Sequence, residues 1–150
     1  MAYTITQAEH LEINSVPLAT PAWSLANLFV MWSGPATRGQ DRLIPGTTGA
    51  LSNPRRPTVT SRTLLLDIFG DRDWEGASNA DPRDGLWRNI AHLRANVTDP
   101  GGDVTATLHL PDGTTVSGPV HIESFELGGD LGPHAARAAI DITILHGALT

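Results

Sequence analysis

Six histidines, His10, His92, His109, His121, His134 and His146, are the side chains best suited to ligate a metal or move a proton in this cysteine-free chain. Their spacing supports neither task. No His-x-x-x-His pair and no His-Glu-x-x-His helix motif occurs, so each reads as a surface or half-buried structural histidine. His109 and His121 fall on one predicted hairpin, but pairing centred on Asp112-Gly113 sets His109 opposite Val116 and His121 opposite Val104. They are not natural co-ligands. The acidic cluster Asp67, Asp71, Asp73 and Glu75 lacks the twelve-residue register of a calcium loop, with its central Gly and terminal Glu, and reads as a solvated strand end.

Gly46-Thr-Thr-Gly-Ala-Leu-Ser52 lacks the Lys-Ser/Thr ending of a phosphate loop and runs into Asn-Pro instead of a helix, so it reads as a rigid turn. No Gly-x-Ser-x-Gly elbow anchors a Ser/His/Asp system. Asn96-Val-Thr98 fits a glycosylation sequon, but no secretory leader accompanies it. The expectation is a protein that is not an enzyme, with no catalytic residue, metal or cofactor.

Charge of another kind is concentrated between Ser33 and Thr58. Pro35, Pro45, Pro54 and Pro57 fix φ there, Gly34, Gly39, Gly46 and Gly49 permit sharp reversals, and Arg38, Arg42, Arg55 and Arg56 supply permanent charge. Long loops of this kind either carry function or stay disordered, and this one is built to dock. Arg55-Arg56-Pro57 stands directly before an apolar strand, where proline holds the backbone so that the guanidinium groups can meet a neighbour's carboxylates. An intersubunit role is therefore expected for Arg38, Arg42, Pro45, Gly46, Gly49, Arg55 and Arg56. Arg38 and Arg42 fit an ordinary solubilising surface equally well, since isolated surface ion pairs contribute little.

The chain has 150 residues and a net charge of -6, and all ten of its basic residues are arginine. That length suits one domain with its own core. An arginine-only set has two readings, bidentate pairing at interfaces or a GC-rich genome. An acidic chain without a basic run is ill suited to grip nucleic acid, because phosphate affinity comes from clustered cations. No apolar run is long enough to span a membrane, and the N-terminus has no signal-peptide pattern, so a soluble protein made in the cytoplasm is expected.

The elements follow from periodicity. Leu11, Ile13 and Val16 alternate with Glu12 and Asn14 as a half-buried strand that Pro17 ends or confines to an edge. A further strand is expected from Leu28 to Trp32. Val59 to Phe69 reads as a central strand, apolar on both faces between Leu64 and Leu66. Asp81-Pro82-Arg83-Asp84 opens a helix with a cap, an N-terminal proline and an acid on the positive end of the dipole. Its stripe is Leu86, Ile90, Leu93 and Val97, with Arg83, Arg88, Asn89 and Arg94 mostly off it, and it stops near Thr98 before Asp99-Pro100-Gly101-Gly102. Val104–Leu110, the turn Pro111-Asp112-Gly113-Thr114 and Thr115–Leu127 form a hairpin. Ala136 to Leu145 is a last strand. The fold class is α+β, mainly β, in a single domain 1–150 with one helix at about 82–97 and a loop arm at 33–58.

This order of elements resembles a known family. Ile44-Pro-Gly-Thr-Thr-Gly49, the Arg-Arg loop, a strand ending in Gly70, Ala80-Asp-Pro-Arg-Asp-Gly-Leu86 leading to Asn89-Ile-Ala-His-Leu-Arg-Ala-Asn-Val97, the Leu-Pro-Asp-Gly-Thr hairpin and the last apolar strand look like the tail proteins of long-tailed actinobacterial phages. They are similar in particular to the tail-tube fold shared by tube proteins and the ring-forming N-terminal domain of distal tail proteins. The resemblance implies a β-sandwich of two packed, mostly antiparallel sheets flanked by the helix, and six copies in a ring around a channel. It implies a virion component, with tube, tape-measure and baseplate hub proteins as partners and DNA passing the lumen without specific binding. A distal ring, a repeating tube and a connector ring are its alternatives. Many distal tail proteins carry a further C-terminal domain, which has no counterpart in these 150 residues. Open strand edges would serve the ring by pairing with the next subunit. A monomeric β-sandwich binding module or hydrolase is the contrasting class, and it requires a pocket of converging polar groups that no sequence motif assembles.

Overall fold

The computed structural model describes residues 3–32, 37–38, 42–43, 50–51, 56–57, 60–98, 103–128, 132, 135–147 and 149–150. The chain opens with a tight hairpin, strands β1 (His10–Ile13) and β2 (Val16–Pro17), whose two-residue loop puts Asn14 and Ser15 at φ 52° and 65°. Two positive φ values in succession match the twist of the flanking strands, and asparagine tolerates that region well. The single strand expected through Val16 is thus folded back at Asn14.

Strand β3 (Trp23–Leu25) follows, and the expected strand at Leu28 to Trp32 is instead a 3-10 helix over Leu28–Trp32. Asn27 explains the change. Its carboxamide donates to the Thr63 carbonyl at 2.8 Å and accepts from the Leu65 amide at 2.9 Å, taking the bonds a continuing strand would have made. Freed from the ladder, the chain winds up, and the three-residue period places Leu28 and Met31 toward the core while Phe29 stays 77% exposed.

Beyond β4 (Thr37–Arg38), β5 (Arg42–Leu43), β6 (Ala50–Leu51) and β7 (Arg56–Pro57), strand β8 (Thr60–Phe69) lies between β3 and β11 (Arg137–His146), a central position. Leu64, Leu66 and Ile68 face inward, as alternation requires. Leu65 does not share their burial: it is 44% exposed, so β8 is covered on one face only.

Helix α1 (Pro82–Val97) starts as its sequence dictates, with the Asp81 carboxylate accepting from the Arg83 amide and Pro82 in the first turn. Leu86, Ile90, Leu93 and Val97 are buried, each fully buried side chain contributing about 1.5–3 kcal/mol by leaving water. Asn89 departs from the expected pattern, being completely buried on the inner side. Its amide group donates to the carbonyls of Phe69 and Arg72 at 2.7 and 2.8 Å, which satisfies the backbone where β8 ends under the helix.

Strands β9 (Asp103–His109) and β10 (Thr115–Gly128) form the expected hairpin with the register one residue away from expectation, His109 facing Thr115 and His121 facing Asp103. Pro111 accounts for the slip. The Gly113 amide bonds the Leu110 carbonyl and Gly113 alone takes positive φ, at 89°, a proline-compatible turn followed by a left-handed glycine.

The main sheet runs β2-β1-β9-β10-β11-β8-β3 with every pairing antiparallel. Its ends meet: Leu18 donates to the Leu11 carbonyl and accepts from the Leu25 amide, and Ala19 bridges Ser24. The sheet therefore closes on itself. β10 turns the corner, with residues 115–121 on β9, residues 120–128 on β11, and a bulge between Ile122 and Ser124. The mainly β, α+β expectation holds, with the layers supplied by one curled sheet and α1 laid against it.

Candidate functional site

The arm residues singled out above are only partly in view. Thr37 and Arg38 pair with Pro57 and Arg56 in one short ladder, and Arg42 and Leu43 pair with Leu51 and Ala50 in another. Pro45, Gly46, Gly49 and Arg55 lie outside the described residues, as do the side chains of Arg38, Arg42 and Arg56. The segment doubles back through at least two antiparallel pairs, which places Arg38 opposite Arg56.

A surface that sequence reasoning missed runs beside α1. Trp87, Ile90, Ala91 and Arg94 from the helix and Phe125 and Leu127 from β10 line an open groove of about 440 Å³. Past the bulge, Phe125 and Leu127 face the same side as their buried partners Ile142 and Ile140. The helix does not reach far enough to cover them, which leaves Trp87 and Leu127 51% and 47% exposed. Arg94, Thr98, Glu123 and Ser124 continue the groove with polar groups. Among the described residues, 124–127 of β10 are paired on one side only, by β11. An apolar trough thus adjoins a row of backbone donors and acceptors. Open edges are expected to serve assembly, and among the described residues the joined ends of the sheet leave this stretch of β10 as one such edge, beside the apolar trough.

The histidines are less scattered in space than in sequence. His92 stacks on Trp74 at 3.7 Å between ring centres and meets the Tyr3 hydroxyl at 2.9 Å, pinning the N-terminal segment to α1. Burial holds the His92 imidazole below its ordinary range and the Tyr3 phenol above its own. His121 reaches Asp103 at 3.3 Å on the exposed flank of the hairpin. His10 and His109, cross-strand partners on β1 and β9, converge with Glu12 in a cluster whose ligating atoms all lie within 4.8 Å of one another. No local motif signals that grouping, because it depends on pairing between distant strands. No described group of side chains assembles a nucleophile, base and oxyanion donors.

No protein-family model and no curated protein matches the chain. Among solved structures, the SPP1 phage Dit protein (gp 19.1), described as a paradigm of the hub adsorption apparatus in phages that infect Gram-positive hosts, is similar with a TM-score of 0.52 and 13% identity over 93% of this chain. The chain spans about half the length of that protein, 49%. At that identity the likeness is one of fold, a mainly β domain with a flanking helix.

Proposed function

We propose that this chain is a structural component of a phage tail, closing with copies of itself into a homohexameric ring around the DNA channel at the distal end of a long, non-contractile tail. The observation that carries the reading is the likeness to Dit over nearly the whole chain. A hub built from such domains needs surfaces that join copies rather than a pocket that turns over a substrate, and the described surface matches that need.

Head-to-tail contact closes into a ring when its rotation divides a full turn. The trough of Trp87, Ile90, Phe125 and Leu127 beside the one-sided edge of β10 supplies one half of such a contact, apolar area together with unpaired backbone. The occupant in this reading is a second copy of the chain, offering its 33–58 arm with Arg38, Arg42, Arg55 and Arg56 to carboxylates of its neighbour. The net charge of -6 suits a channel through which DNA slides by repulsion. Tube, tape-measure and baseplate hub proteins are the partners above and below the ring.

Light scattering on the purified protein tests the reading. A mass near six times the 15.9 kDa of one chain supports it. Stacking of rings into tubes would assign the repeating tube role, and a monomer that stays monomeric in the presence of neighbouring tail proteins would overturn it.

A further inference from the structure

We propose that His10, Glu12 and His109 form a binding site for a divalent first-row transition ion, with Zn2+ as the expected occupant. The antiparallel ladder between β1 and β9 sets His10 directly opposite His109, and the two imidazoles stack with ring centres 4.3 Å apart and planes 9° from parallel. Glu12 stands two residues along β1 from His10 and so on the same face of the strand. Its Oε1 lies 3.4 Å from His10 Nε2 and 3.2 Å from His109 Nε2. With metal–ligand bonds of about 2.1 Å, tetrahedral ligand atoms stand about 3.4 Å apart, which the two carboxylate–imidazole separations match; the stacked rings must turn out of parallel for their in-plane lone pairs to converge on one ion.

The surroundings of each imidazole support the same reading. His10 is only 6% exposed, and its Nδ1 lies 3.0 Å from the Ala8 carbonyl oxygen, to which it donates. That bond fixes the tautomer and leaves the Nε2 lone pair aimed into the cluster, the outer-shell arrangement typical of ligating histidines. His109 Nε2 is itself buried and makes no hydrogen bond of acceptable geometry, despite its nearness to the Glu12 oxygen. A buried ring nitrogen without a hydrogen-bond partner is costly unless something else occupies its lone pair. Two neutral imidazoles and one carboxylate are borderline donors that favour Zn2+, Ni2+ or Co2+ over Mg2+ and Ca2+, which require oxygen-rich shells.

The side chains of Glu12 and His109 are 24% and 29% exposed, which leaves a fourth position open to water or to a group from another molecule. Bound there, an ion clamps the first hairpin, β1–β2, onto β9. The inference does not depend on the ring: a monomer would bind the ion equally well.

Thermal unfolding of chelator-treated protein, repeated with Zn2+, Co2+ or Mg2+, tests the site. Zn2+ at about a hundred times its Kd is expected to raise Tm by roughly 5–10 °C, since an ion bound only by the folded state stabilises it by mass action. Mg2+ should leave Tm unchanged, and Co2+ should develop the visible bands of a tetrahedral complex at one equivalent. Glu12→Gln and His109→Ala should each weaken Zn2+ binding in calorimetry by at least about tenfold. The Glu12→Gln side chain is nearly isosteric, and its variant should keep the circular dichroism of the parent. Absence of one-to-one Zn2+ binding to the parent protein, or undiminished binding to both variants, would overturn the proposal.

Discussion

A Cβ on Gly85 would collide with the carbonyl oxygen of Gly70. The end of β8 and the first turns of α1 cross there backbone to backbone, and a Cβ on Gly70 would meet the Pro82 carbonyl in turn. Close approach, not turn formation, is what requires glycine at both positions. Alanine in a helix interior is ordinarily favoured over glycine by about 1 kcal/mol. At Gly85 that preference is outweighed, because backbone cannot step aside as a flexible side chain can. Gly85→Ala should therefore destabilise the protein by about 1–3 kcal/mol in urea unfolding, the range for overpacking. An unchanged or raised midpoint would refute the close crossing.

Asn89 ties the same junction together from the helix side. Replacing it with leucine keeps much of the volume but strands the Phe69 and Arg72 carbonyls, at about 1–3 kcal/mol for each buried group left unpaired. Asn89→Leu should lower stability by roughly 2–4 kcal/mol despite its better helix propensity. Hydrogen exchange should show the loosening first at the end of β8 and the start of α1.

The pH dependence of stability should follow His92. Burial depresses its folded-state pKa below the unfolded 6.5, so the unfolded chain takes up the proton more readily. Stability is then complete above about pH 7 and declines as pH falls from the unfolded value through the folded one. Tyr3, raised above 10.0 by burial, gives the opposite limb, a loss as pH climbs through its folded pKa. Chemical unfolding followed by tryptophan fluorescence across pH 5 to 8 reads the acid limb, since Trp23 and Trp74 both lie against His92. His92→Phe should flatten that limb. An unaltered acid limb in this variant would assign the pH dependence to other groups.

Assembly should fail where the proposed contacts are removed. Arg55→Ala combined with Arg56→Ala, and separately Leu127→Asp, should shift the protein toward monomer in sedimentation while circular dichroism stays that of the parent. Leu127 is nearly half exposed, so its substitution leaves the monomer's core intact. Collapse of the dichroism in the double arginine variant would place those side chains in the fold itself.

Legibility in sequence tracked locality. Asp81-Pro82 announced α1, and Asp112-Gly113 announced the hairpin, because a cap or a turn is chosen by a few adjacent residues. The hairpin register stands one residue from a turn centred on Asp-Gly because Pro111 takes the first turn position, and the Gly113 amide bonds the Leu110 carbonyl. Asn27 was opaque because its side chain imitates backbone toward β8, a contact that exists only once both segments are placed. Leu65 looked buried by its type, yet exposure depends on which side of β8 is covered. The cluster of His10, Glu12 and His109 and the trough between α1 and β10 arise from pairing and packing across the fold. No local pattern encodes either.

Negative-stain imaging of the purified protein at high concentration, alone and with neighbouring tail proteins, tests the central claim most directly. The account predicts rings of sixfold symmetry with an open central channel. Uniform single particles of one chain's size under both conditions would contradict it.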